Sequence, residues 1–275
     1  MSAPIVLPVG VTCILAPNPS LLTGPGTNTF LVADEIAGEV VVIDPGPDIP
    51  EHLRRIADTI AERGKAKAIL VTHGHPDHAD GAASLRELLG VPVYARSREG
   101  VPATDHALAD DAVIAVGTRN LRALYTPGHR FDHLCFLLED ARTLFAGDLI
   151  AGEGTVVIMP PEGDLLDYLA SLRRLQTLDL RLILPAHGPF LGDPQTVLSY
   201  YIAHREERER QVLAGLSAGP KTVDELVRGI YADVSADLHP IAAYSVRAHL
   251  YKLEREGRVH RLSAADGSER WSLAT

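Results

Sequence analysis

The chain has 275 residues, a formal net charge of −10 and 46% apolar residues, which suits one large α/β domain with a small appendage. No apolar run approaches the ~18 residues a membrane span needs, and Met1 to Gly10 has no basic stretch ahead of an apolar one, so a soluble, cytoplasmic protein without a membrane partner is expected. Residues 205–275 hold 11 Lys and Arg against 11 Asp and Glu, so the acidity lies in the first two hundred residues and argues against tight nonspecific nucleic-acid binding, which depends on neutralising phosphates.

In chain order, the first half reads as strand, turn, strand. Val40 to Ile43 is a β-branched run ended by the turn Asp44-Pro45-Gly46-Pro47. Leu53, Ile56 and Ile60 then recur at helical spacing between Ile49 and Arg63. A strand follows at Ala66 to Val71, then a His-rich loop and a helix from about His78 to Leu89. Strands are expected at Val91 to Ala95, Asn120 to Thr126, Leu134 to Glu139, Thr143 to Ala146 and Leu180 to Leu184, with an amphipathic helix at Leu165 to Leu175. Cys13 and Cys135 sit in apolar contexts and read as inert strand thiols. Strands alternating with helices indicate a layered α/β domain. Gly192-Asp193-Pro194 opens a long connector helix through Arg210, in which Tyr200-Tyr201 and the charges from Arg205 read as solvent-exposed. Thr222 to Ile230, Ile241 to Glu256 and Gly257 to Leu262 read as helix, helix and short hairpin, the order of a winged helix. Its balanced charge favours a structural, dimer-forming or substrate-capping role over nucleic-acid binding.

The chemical signal is Thr72-His73-Gly74-His75-Pro76-Asp77-His78. Imidazole and carboxylate without thiolate suit zinc, manganese or iron at a catalytic site. His73 and His75 alternate in the two-residue period and offer one metal two donors. Asp77 and His78 open the following helix and point elsewhere, as a second metal requires. Three more candidates each follow a predicted strand: His129 in Thr126-Pro127-Gly128-His129, Asp148 in Phe145-Ala146-Gly147-Asp148, and His187 in Leu184-Pro185-Ala186-His187. Strand ends at one edge are where an open α/β sheet places its ligands.

Together these motifs resemble the metallo-β-lactamase superfamily over roughly residues 10 to 190. The resemblance implies a four-layer αββα sandwich. It implies that His73, His75 and His129 hold one metal, that Asp77, His78 and His187 hold the other, and that Asp148 bridges. Two Zn2+ are expected, with Mn2+ or Fe2+ as alternatives. Two such cations lower the pKa of a bridging water from about 15.7 towards 7, giving a hydroxide nucleophile, and polarise the scissile carbonyl or phosphoryl group. Asp77 and Asp148 are the expected catalytic carboxylates, Asp77 by orienting the nucleophile or carrying its proton. Among weaker signals, His133 reads as a support or structural residue, Asn28 as a turn residue that by resemblance borders the site, Asp44 as a buttress of the His loop or a plain turn carboxylate, and Gly152 to Thr155 as pocket lining. His106 and His204 read as ordinary surface or packing residues.

Gly26 to Val32, Gly147-Asp148 with Gly152 to Thr155, the Asp167-Tyr168 helix and Leu250 to Gly257 are similar to landmarks of the β-lactamase-like protein 2 group. This extends the resemblance over nearly the whole chain, as a hydrolase domain at 1–200 and a winged-helix-like domain at 201–275. Members of that group include single-stranded RNA endonucleases and polyketide-processing thioesterases, so the fold alone does not choose a substrate. An RNA endonuclease would want a positive channel and stacking aromatics, against an acidic body with 5% aromatic residues. A thioesterase acting on a small metabolite or acyl carrier needs only the nucleophile, an oxyanion site and a modest apolar pocket. A nucleic-acid-binding regulator with a relic metal domain would have no chemical reason to keep every ligand. β-Lactam hydrolysis is not expected as the main activity.

Overall fold

A computed structural model describes residues 5–263 and 268–274. The described chain forms two compact units: Met1–Pro127 with Asp132–Val156 and Gln176–Val197, and Gly128–Phe131 with Val157–Leu175 and Leu198–Thr275.

The first unit is built on two six-stranded sheets. One has the order β1 (Val11–Leu15), β2 (Asn28–Asp34), β3 (Glu39–Ile43), β4 (Lys65–Leu70), β5 (Val93–Ala95), β6 (His106–Ala107). The other runs β12 (Leu191–Gly192), β11 (Leu182–Pro185), β10 (Thr143–Gly147), β9 (Leu134–Leu138), β8 (Arg119–Tyr125), β7 (Val113–Val116). Pairing is parallel from β3 through β6 and between β10 and β11, and antiparallel elsewhere. The two-residue period decides which face each side chain takes. Val41 and Ile43, Phe30 and Val32, and Ala68 and Leu70 share a core with Leu121, Ala123, Phe136, Leu138 and Leu184 of the facing sheet. Phe30 meets Phe145 across it edge to face at 5.2 Å. The opposite parity, Leu31, Val40, Val42 and Ile69, packs on Leu53, Ile56 and Ile60 of α1 (Pro50–Ala61) and on Ala82 and Leu85 of α3 (Gly81–Leu89). Burying each of these large side chains is worth roughly 1.5–3 kcal/mol. Strands apolar on both faces are what a sheet covered on both sides requires.

The expected helix from His78 is two pieces, α2 (Pro76–Ala79) and α3. The Asp44–Pro47 turn inserts at the junction: Gly46 N–H donates to His78 O, and Gly81 N–H donates to Gly46 O instead of continuing the helical ladder. Cys13 lies on β1 and Cys135 on β9, both as free thiols, and burial pushes the Cys13 thiol up to about 12. Among the described residues no helix is long and apolar enough to cross a membrane.

The second unit contains α4 (Leu165–Gln176) up to residue 175, most of α5 (Pro194–Leu216), α6 (Val223–Ile230), α7 (His239–Arg255) and the hairpin β13 (Val259–Ser263) with β14 (Glu269–Leu273). Thr222 and Glu225 form a reciprocal capping box at the start of α6, a device worth about 1 kcal/mol. Val212, Leu216, Leu226, Val246, Leu250, Leu253 and Trp271 form its core. The hairpin is longer than expected, because the charged strand Glu269–Leu273 hides its one buried anchor, Trp271. The exposed reading of the connector needs correction as well. Leu198, Tyr201, Arg205, Val212 and Leu216 of α5 are all at most 3% exposed, a helical stripe interrupted in sequence by an arginine that lies over the Tyr168 ring.

Candidate metal centre

In the first unit, each expected donor leaves the C-terminal end of a strand. β4 leads into His73, His75, Asp77 and His78, β10 into Asp148, and β11 into His187. His73, His75 and Asp148 each offer a donor atom within 4.8 Å of the others, as do Asp77, His78 and His187. His73 Nε2 and His75 Nδ1 face each other at 2.9 Å. Asp148 is shared between the groups: Oδ2 lies 3.9 Å from His73 Nε2, while Oδ1 lies 3.4 Å from His78 Nε2 and 3.2 Å from His187 Nε2. Asp77 Oδ2 stands 3.1 Å from His187 Nε2 and 3.5 Å from His78 Nε2.

Oxygen atoms stand behind the histidine rings and fix which nitrogen faces the centre, the usual arrangement around metal-ligating imidazoles. Asp44 Oδ2 lies 2.8 Å from His78 Nδ1, Thr72 Oγ1 lies 3.0 Å from His73 Nδ1, and Gly26 O lies 3.4 Å from His187 Nδ1. His78 Nε2 is buried and faces the Asp148 and Asp77 carboxylates. Burial works against charge on this ring, yet Asp148 and Asp44 on either side hold its pKa well above the ordinary imidazole value. The field at this point therefore favours a cation. Burial also works to raise the Asp77 carboxyl, but the His187 hydrogen bond and the nearby His78 outweigh it and leave Asp77 below the usual carboxylate range. The nitrogen and oxygen donors and their backing fit divalent cations.

His129 belongs to the second unit, where its Nδ1 lies 3.0 Å from Val157 O and its ring is 6% exposed. A Cβ on Gly128 would lie 2.2 Å from the Tyr168 backbone, so the residue beside His129 has to be glycine.

The supporting residues are clearer in the structure than in the sequence. Asp44 accepts from Thr72 N–H (2.7 Å) and Thr72 Oγ1 (2.8 Å) besides contacting His78, which makes it the expected buttress. His133 Nε2 accepts the Asp148 backbone N–H at 3.1 Å. Asn28 is not a turn residue. It opens β2, is 6% exposed, and its amide donates to Pro185 O and Gly188 O, clamping the loop that carries His187. Gly152 donates to His187 O, and a Cβ there would lie 2.3 Å from Pro189 O, so it packs against the His187 loop. Asp132, which carried no signal in the sequence, accepts from Gly74 N–H between the first two histidines.

Residues 22–187 match the model of the metallo-beta-lactamase superfamily. The chain belongs to that superfamily. Residues 222–271 of this superfamily member match the beta-lactamase associated winged helix domain. The chain is 34% identical to the beta-lactamase-like protein 2 homolog of Drosophila melanogaster, over 92% of this chain and 90% of that one. It is 31% identical to an atrochrysone carboxyl ACP thioesterase of Aspergillus fumigatus, over 85% and 77%. A metallo-beta-lactamase family protein of Thermus thermophilus has a crystal structure that superposes with a TM-score of 0.79 at 26% identity, over 96% of this chain and 98% of that one. The chain is accordingly a hydrolase of the metallo-β-lactamase fold, with a His/Asp cluster able to bind metal ions and a C-terminal winged helix.

Proposed function

We propose that the protein hydrolyses an acyl thioester at a dinuclear zinc centre. His73, His75 and His129 would hold one ion, Asp77, His78 and His187 the other, and Asp148 would bridge them, within a hydrolase domain at 1–200 followed by a winged-helix-like domain at 201–275. The observation that carries the two-metal reading is the division of Asp148, one oxygen towards His73 and the other towards His78 and His187. When bound, two such cations supply Lewis acidity at the scissile carbonyl and lower the pKa of a coordinated water.

The chain's own residues hold the geometry and handle the proton. Asp44, Thr72 and the carbonyl of Gly26 set the orientation of His78, His73 and His187. His133 fixes the backbone at Asp148. The Asp77 side chain, 27% exposed beside the fully buried His78, is the carboxylate open to solvent and substrate and serves as the proton carrier. A thiolate, with a conjugate acid near pKa ~8.5, is a good leaving group and needs no acid beyond the proton that Asp77 carries. The thioesterase named among the relatives supports the acyl reading.

The RNA endonuclease reading is less favoured. An RNA channel wants positive charge and stacking aromatics, whereas the chain has a net charge of −10 and 5% aromatic residues. The test offers the metal-loaded protein a labelled single-stranded RNA and an acyl thioester, with Asp148→Ala as the blank and metal content measured on both. Thioester turnover lost in the blank, intact RNA and two zinc ions per chain are expected. RNA cleavage with an untouched thioester would overturn the proposal.

A further inference from the structure

A cleft of about 320 Å³ opens within the second unit, in the range of small-molecule sites. Pro160, Pro161, Leu165, Ala248 and Tyr251 give it apolar and aromatic walls, and Asp164, Glu254 and Arg255 stand among them. The hydrolysis proposed above makes no use of it.

The charges around the cleft decide what fits. Asp164 pairs with Arg255, and Arg261 is shared between Glu254 at 3.0 Å and Glu269 at 3.3 Å. Asp167 stands next to the first pair, with its N–H donating to Asp164 Oδ1 at 3.1 Å. Four carboxylates therefore divide two guanidiniums, while the neighbouring Glu162 is matched by Arg130 at 3.4 Å. Burial and the Asp164 charge push the Asp167 carboxyl up, against the opposing pull of Arg255, as an excess of negative charge does.

An anion entering here would lose water and find both guanidiniums engaged. An uncharged molecule would fill the apolar part and leave the excess charge standing. An ammonium group removes it. A carboxylate has about four lone-pair sites. Arg261 takes one of them at Glu254 Oε2, and the remainder can accept from the three ammonium N–H donors. The Tyr251 ring already carries the Arg261 guanidinium at 5.1 Å, as a surface suited to cations does, and the proline and leucine walls take an apolar body.

We propose that this cleft is a binding site for a small organic ammonium ion that carries an apolar body. The assignment stands whatever bond the metal centre cleaves. Trp271, the chain's one tryptophan, is fully buried, with its ring centroid 5.9 Å from that of Tyr251 and the Arg261 guanidinium 4.9 Å over its ring, so its fluorescence reports occupancy.

Three probes of one shape, phenethylamine, 2-phenylethanol and 3-phenylpropionate, are titrated into the metal-loaded full chain at pH 7, with calorimetry beside the Trp271 signal. Saturable binding of phenethylamine is expected, with 2-phenylethanol weaker by roughly tenfold or more and no response of Trp271 to 3-phenylpropionate. Glu254→Gln should weaken phenethylamine roughly tenfold. Asp167→Asn, at an exposed position, should weaken it roughly two- to fivefold and keeps the test open if Glu254→Gln does not fold. Asp148→Ala should bind phenethylamine like the parent, because the metal centre takes no part. Equal affinities for the amine and the alcohol, a carboxylate that binds and moves the Trp271 signal, or no saturable binding of the amine would overturn the assignment. So would binding unchanged in both cleft variants or lost in Asp148→Ala.

Discussion

Replacing Asp44 by Asn tests whether the centre depends on the groups behind its ligands. Asp44 has a backbone φ of 52°, a left-handed conformation that Asn tolerates nearly as well as Asp, so the substitution adds little strain. One side-chain oxygen still accepts from Thr72 N–H, as Oδ1 does at 2.7 Å. The other position, where Oδ2 faces Thr72 Oγ1 and His78 Nδ1 at 2.8 Å each, becomes an amide that opposes a donor with a donor. The ring can relieve this by moving its proton to Nε2, which removes it as a metal ligand. Losing one hydrogen bond to a charged group costs about 1.5–3 kcal/mol, or roughly 10- to 150-fold in affinity, close to the 10- to 100-fold typical of such outer partners. Competition against a chromophoric chelator, with circular dichroism and a melting curve to establish folding, should show one zinc weakened by that factor and the other little changed. Equal affinity for both ions in parent and variant would refute the argument that the Asp44 carboxylate tunes His78.

Gly74→Ala should break the turn between the first two histidines, since its Cβ would lie 1.9 Å from Gly100 O. Over-packing against backbone costs about 3 kcal/mol, a fall of roughly 6–12 °C in a melting curve, whereas Gly229→Ala, with nothing within 4 Å, should melt like the parent. His249 is 1% exposed, and neither ring nitrogen hydrogen-bonds a described residue. Burial, helped by Arg205 and Lys252, depresses it from 6.5 to about 3. The unfolded chain therefore binds the extra proton between those values, so the stability is intact above pH 6.5 and is lost as pH falls towards 3. At about 1.4 kcal/mol per pH unit, roughly 2 kcal/mol should disappear by pH 5. Urea titrations at pH 7 and pH 5 should show this loss in the parent and a smaller one in His249→Leu. The same pH dependence in both proteins would contradict the assignment.

The candidate donors of the His/Asp cluster could be read from the sequence because each follows a strand and four of them share one short segment. Their supports were less legible because contacts distant in sequence create them. Asn28 follows Gly24-Pro25-Gly26 and looks like turn material, yet its amide bonds carbonyls at residues 185 and 188. Asp132 reaches back to Gly74 in the same way. The strands expected over stated ranges lie within two residues of their observed ends, since apolar runs and turn residues mark them locally, whereas the short or charged strands β6, β7, β12 and β14 had no expected counterpart. The buried face of α5 was misread because Arg205 occupies an apolar position through a ring contact that no local pattern predicts. The break between α2 and α3 was missed for a similar reason, since the Gly46 turn that causes it lies more than thirty residues upstream.

The crowding of four donors between His73 and His78 also bears on how the protein matures. During synthesis that loop emerges from the ribosome well before Asp148 and His187, at a pace of roughly 5–20 residues per second, and can capture a metal while the second sheet is still unmade. If the unfolded chain binds metal through that loop, added metal should raise the stability by less than native-state binding alone would give. The later strands bring Asp148 and His187 to that loop, so the His/Asp cluster is complete only once β11 has formed.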